Sequence, residues 1–117
     1  MSRVKLVKLE SKEKYQRLLS RDSDTSGIKV GHVILSSSEN IGVHTTGERE
    51  EVIVILKGKG EASIGKNDVV NIKKNEVLYI PPQTEHDVKN TGSGILEYIF
   101  ITSQTQDNDF DCKKDFM

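Results

Sequence analysis

An all-β domain is what this sequence predicts, on three observations. From Ile28 onward, short strand-like runs and clusters of turn residues alternate at close intervals. Residues 51 to 57 are apolar on both faces, with Ile53 and Ile55 on one side and Val52, Val54 and Leu56 on the other. That is the pattern of a central strand covered twice, in a sandwich or barrel. A grouping of histidine, polar turn and short apolar strand also occurs twice, at 42 to 60 and at 75 to 90.

Length and charge narrow the class. A chain of 117 residues suits one domain, which at this size buries roughly two thirds of its unfolded surface. The formal net charge is -1, and no long block of like charge interrupts the mixture. Nucleic acid is therefore not the expected partner, because phosphate binding needs a basic footprint. No apolar run is long enough to span a bilayer, and no signal-peptide core follows Met1-Ser2-Arg3, so the expectation is a cytoplasmic protein without membrane association. The single cysteine, Cys112, has no partner for a disulfide or a metal knuckle.

In chain order, residues 1 to 27 read as an arm: a short strand over 4 to 9, a helix from an Ser11 N-cap through residue 20, and a polar loop over 21 to 27. Tyr15, Leu18 and Leu19 supply the helical spacing. The barrel follows over 28 to 102, with strands expected at 28 to 36, 41 to 46, 51 to 57, 60 to 64, 68 to 72, 77 to 80, 86 to 90 and 95 to 102. Gly65-Lys66-Asn67 and Lys73-Lys74-Asn75 read as hairpin turns. Pro81-Pro82 must interrupt pairing, since neither residue can donate to a ladder. Residues 103 to 117 form a polar tail apart from Phe110, Phe116 and Met117, and are expected to be mobile or draped over the barrel.

Pairing Val43-His44 antiparallel with 52 to 56 across a turn at 47 to 50 sets Thr46 opposite Glu51 and His44 opposite Ile53. Opposed residues share a face and faces alternate along a strand, so His44, Thr46, Glu51, Ile53 and Ile55 point one way. Glu50 then points the other way.

These residues carry a resemblance to the cupin superfamily. Its first motif reads G-x5-H-x-H-x(3,4)-E-x6-G, and here His44, Glu51 and Gly58 take the places of the first histidine, the glutamate and the closing glycine. Its second reads G-x5-P-x-G-x2-H-x3-N, matched by Pro81, His86 and Asn90, with Asn75 and Gln83 at glycine places. Thr46 stands where the family has its second histidine. The resemblance implies a double-stranded β-helix, jelly-roll-like, that brings His44, Glu51 and His86 to one mouth. Such a two-histidine, one-carboxylate set suits Fe(II), Mn(II), Ni(II), Co(II) or Zn(II), with positions left open for water or substrate. It also implies a homodimer paired through the outer face of the 51 to 57 strand.

Three classes of function follow: a metal-dependent enzyme on a small polar substrate of sugar or organic acid type, a metal-free small-molecule binding module, and an interaction domain with a relict site. Catalytic residues and substrate are not identified by the sequence. In the metal-free readings, His44 and His86 are polar plugs bonded to Thr46 or Glu51. His32 reads as a strand histidine with one hydrogen bond, Tyr79, Tyr98 and Phe100 as core or interface residues, and Asn90 as a backbone-bonding residue.

Overall fold

The computed structural model describes residues 3 to 10 and 12 to 104, and among them it contains strands and no α-helix. Nine strands run β1 (Tyr15–Leu19), β2 (Ile28–Leu35), β3 (His44–Thr45), β4 (Arg49–Lys57), β5 (Lys59–Ile64), β6 (Asp68–Lys73), β7 (Val77–Ile80), β8 (Glu85–Asn90) and β9 (Leu96–Gln104). A five-stranded sheet in the order β1-β2-β9-β4-β7 faces a four-stranded sheet in the order β3-β8-β5-β6, and every neighbour is antiparallel. None of the described helices is long and apolar enough to cross a membrane, there being none at all.

Period-two patterning builds the core between the sheets. Val33 and Leu35 from β2, Ile53 and Ile55 from β4, Leu96 and Tyr98 from β9 and Ile80 from β7 meet Ile72 from β6 and Val88 from β8. Full burial of each such aliphatic side chain contributes about 1.5–3 kcal/mol. On β4 the alternation is strict: Glu51, Ile53 and Ile55 are buried while Val52, Val54 and Leu56 are half-buried. β4 is a central strand, as its composition predicts, with β9 on one edge and β7 on the other.

That placement overturns the expected hairpin of residues 43 to 46 with 52 to 56. A strand has two edges, and both edges of β4 are occupied. β3 therefore crosses to the other sheet and pairs with β8, setting His44 opposite His86 and Thr45 opposite Glu85. The expected strand over 41 to 46 shrinks to these two residues, with an isolated bridge between Asn40 and Lys89 beside it. Lys73-Lys74-Asn75 likewise makes a turn between sheets, not a hairpin, because β6 and β7 belong to different layers. Asn75 there has a φ of 73°. Among the described residues, the three non-glycine residues with positive φ, Ser38, Asn75 and Gln83, all fall at glycine places of the two motifs. The backbone shape of the motif glycines is kept where the glycines are not.

The helix expected from Ser11 to residue 20 is replaced by β1, which pairs with β2 from Tyr15 opposite Val33 to Leu19 opposite Val30. An isolated helix of two or three turns is marginal in water, whereas the free edge of β2 offers a ladder, and the Tyr15 ring stacks on Phe100 at 5.9 Å between centroids. Residues 4 to 9 form no strand, and Val4 and Leu6 lie fully exposed. β9 runs to Gln104, two residues into the expected tail. The rest of that tail, with Phe110, Cys112, Phe116 and Met117, lies outside the described residues, as does Ser11.

Candidate functional site

Opposing His44 to His86 across β3 and β8 brings the two imidazoles to 4.1 Å between ring centroids, inclined at 61°. Each ring is held from behind by main chain: His44 Nδ1 lies 2.8 Å from the Gly42 carbonyl and His86 Nδ1 lies 3.0 Å from the Thr84 carbonyl. A carbonyl only accepts, so Nδ1 carries the proton on both rings. In the neutral imidazole Nε2 is then the lone-pair nitrogen.

Glu51 reaches the same point from the facing sheet, where the inward row of β4 ends at the barrel mouth. Its Oε1 lies 3.1 Å from His86 Nε2, and both side chains are buried, at 6% and 2% exposure for the residues. Burial works against a charged His86, but the hydrogen bonds to Glu51 and to Thr84 and the nearby negative charges of Glu51 and Asp87 outweigh it, so the imidazole's pKa is raised. One donor atom from each of His44, Glu51 and His86 lies within 4.8 Å of the others. An ion with bonds of about 2.0–2.2 Å spans at most about 4.4 Å between donors, so the set closes on a cation with shifts of a few tenths of an ångström.

Thr46 does not join the set. Its hydroxyl donates to the Pro81 carbonyl at 2.8 Å and accepts from the Thr84 N–H at 3.0 Å, clasping the loop ahead of β8. Glu50 faces outward, as alternation requires, and accepts from the Tyr79 hydroxyl at 2.7 Å. His32 is buried outside the cavity lining, with Nε2 2.7 Å from a Glu97 carboxylate oxygen. It is the strand histidine with a hydrogen bond that its place on β2 suggests. Asn90 is fully buried and bonds only backbone: its amide donates to Leu35 and Gly94 carbonyls and its oxygen accepts from Gly92 N–H.

The histidines open onto a cavity of ≈ 220 Å³. Its apolar wall comes from Ile41, Ile53, Val88 and Phe100, and Tyr98 lines it with a phenol whose pKa burial pushes up. Arg21, Lys29 and Arg49 also line it, and sequence reasoning missed all three. For Lys29 and Arg49 the signal was present, since they extend the inward rows that hold Val33 and Glu51. Arg21 comes from the loop after β1, and no periodicity pointed to it.

Comparison with family models matches residues 31–102 to the cupin domain. An uncharacterized protein of Methanocaldococcus jannaschii is 36% identical over 50 residues, which are 43% of this chain and 39% of that protein. A second from the same organism is 23% identical over 78 residues, 67% of this chain and 66% of its own. The matches thus span less than two thirds of both relatives. Among solved structures, a cupin family protein of M. jannaschii with a double-stranded β-helix fold superposes with a TM-score of 0.74 at 19% identity, covering 86% of this chain and 91% of that one. A predicted oxalate decarboxylase from Thermotoga maritima gives 0.72 at 23% identity, covering 78% and 79%. At these identities the likeness establishes the double-stranded β-helix and nothing finer.

Proposed function

This chain belongs to the cupin-domain family, and from that membership and the site geometry we propose that it binds a divalent metal ion through His44, Glu51 and His86, beside a cavity for a small polar molecule. The carrying observation is the pair of tethers: both Nδ1 atoms are bonded to backbone carbonyls, at Gly42 and Thr84, which leaves both Nε2 atoms for the ion. Backbone tethers of this kind fix ring orientation and tautomer in metal sites. Two imidazoles and a carboxylate suit Fe, Mn, Ni, Co or Zn, and a bound ion would act as a Lewis acid toward an oxygen of the molecule in the cavity. Glu51 and the two histidines supply its ligands, the apolar wall limits water, and Thr46 holds the loop that leads into the strand carrying His86.

A metal-free reading has one observation in its favour. The His86 to Glu51 hydrogen bond at 3.1 Å satisfies both groups without an ion. Melting curves separate the two. Metal at a hundred times its Kd stabilises by about 2.7 kcal/mol, so the first reading expects a raised Tm with one of the five ions, abolished in His86→Ala or His44→Ala. A purified protein without metal by elemental analysis, and with no melting shift for any of the five, would overturn it in favour of the metal-free module.

A further inference from the structure

The cavity beside the histidines carries an excess of positive charge that three metal donors do not account for. Lys29 on β2, Thr102 on β9 and Glu51 on β4 are in register, Lys29 opposite Thr102 and Thr102 opposite Glu51, so they form one inward row across three strands. Arg49 begins the β4 part of that face, and Arg21 reaches it from the loop after β1. Glu51 is the one carboxylate in this lining, against two guanidiniums and an ammonium. A divalent ion on the three donors would raise the excess further.

Arg21 is aimed without being neutralised. Its Nε donates to the Gly27 carbonyl at 3.2 Å, and one terminal nitrogen donates to Thr102 Oγ1 at 2.5 Å and lies 3.5 Å from the Thr102 carbonyl. All three acceptors are neutral. Burial and then the charge of Arg49 depress its pKa, with Asp22 opposing, so the two guanidiniums are close enough to repel. Neither is in an ion pair with a carboxylate among the described residues. Two like charges facing one cavity are unfavourable until an anion lies between them, and guanidinium forks suit planar oxyanions. The remaining wall is apolar, which suits a carbon chain better than a phosphate that seeks donors on every side. The volume of ≈ 220 Å³ is below the roughly 300–1,000 Å³ usual for drug-sized ligands, so the molecule has only a few carbons.

We propose that the cavity binds a small carboxylic acid, its carboxylate held between Arg21 and Arg49 and its carbon chain against Ile53, Val88 and Phe100. The proposal rests on the reading above of the cavity as the ligand site, but not on the metal. The charge excess chooses the acid over the neutral sugar that the same cavity would otherwise admit.

The test is calorimetric titration of the full chain, after chelation, with acetate, lactate, malonate and succinate, and with malonamide and inorganic phosphate as controls. At least one acid is expected to bind, at least tenfold more tightly than malonamide or phosphate, and to weaken as salt rises. Arg49→Gln, at an exposed position that should fold normally, is expected to weaken that acid at least tenfold. Because the protein is titrated after chelation, acid binding is read with no ion on the three donors, so loss of the metal and loss of acid binding read out separately. The proposal is overturned if none of the four acids binds, if malonamide or phosphate binds as well, or if Arg49→Gln binds like wild type with its melting curve intact. Binding that returns only with added metal and ignores Arg49 would place the acid on the ion instead, and equally overturns it.

Discussion

At the residue scale, the buried polar side chains divide into those that hold backbone and those that face the cavity. Asn90 is of the first kind. Its three hydrogen bonds to main chain are worth about 1 kcal/mol each, so Asn90→Ala should cost about 3 kcal/mol by urea unfolding while leaving metal stoichiometry unchanged. Thr46 belongs with it. Thr46→Val keeps the volume but strands the Pro81 carbonyl and Thr84 N–H, an expected loss of about 1–3 kcal/mol. Replacing Thr46 by His breaks the same clasp, so any gain in metal affinity from a further imidazole would come with a lower Tm in the metal-free protein. Tyr98 faces the cavity and titrates. Burial, then the charges of Glu51 and Asp87, raise its folded pKa above the unfolded value, which is about 10. The stability tied to the neutral phenol is therefore complete below pH of about 10 and is lost as pH rises beyond it. Unfolding free energy should fall more steeply between pH 9.5 and 11.5, taken as approximate bounds around that value, in wild type than in Tyr98→Phe. Equal slopes would show that Tyr98 ionises freely in the folded state.

At the element scale, what was legible depended on whether neighbours in sequence or neighbours in space decide the structure. β4 was legible because its own alternation fixes both faces, and β8 because its histidine and asparagine sit at motif spacing. Asn75 and Gln83 kept the left-handed turns that glycine places demand. The register of β3 was not legible, because the rule that adjacent strands pair competes with a topology in which β9 and β7 claim both edges of β4. The meeting of His44 with Glu51 survived that error, since the crossing at Thr46 and Gly47 delivers them to the same mouth from opposite sheets. β1 was misread because three apolar residues within five positions fit a helical stripe as well as an edge strand with one irregular step, and the structure shows that step between Arg17 and Leu19. Removing the Tyr15 ring tests what holds β1. Tyr15→Ala should cost about 0.5–1.5 kcal/mol beyond the lost area, and amide exchange should quicken in β1 while β4 and β9 stay protected. Uniform quickening across the sheet would mean that β1 is part of the global folding unit.

At the scale of the whole molecule, the five-stranded sheet has one face in the core and one facing away from it, and the outward face is unusually apolar near its β7 edge. Val52 lies opposite Tyr79 and Val54 opposite Val77, so these four share that outer face. Val52 and Val54 are half-buried, while Val77 and Tyr79 keep 66% and 54% of their surface exposed. β7 is also a terminal strand of its sheet, with an unpaired edge among the described residues. An apolar patch beside a free edge is the kind of surface that a second copy covers, and a self-complementary patch closes with two-fold symmetry. The N-terminal arm does not provide this cover with its most apolar residues, since Val4 and Leu6 are themselves exposed. The expected state is therefore a homodimer through the β4 and β7 outer face, measured by light scattering at protein concentrations on the order of tens of micromolar. Val77→Lys should convert it to a folded monomer, because a charge at the centre of the patch is desolvated on pairing but solvated alone. None of Val52, Val54, Val77 and Tyr79 lines the cavity beside the histidines, so metal binding should be unchanged in that monomer. A wild type that scatters as a monomer would leave Val77 and Tyr79 as exposed apolar residues on an unpartnered edge.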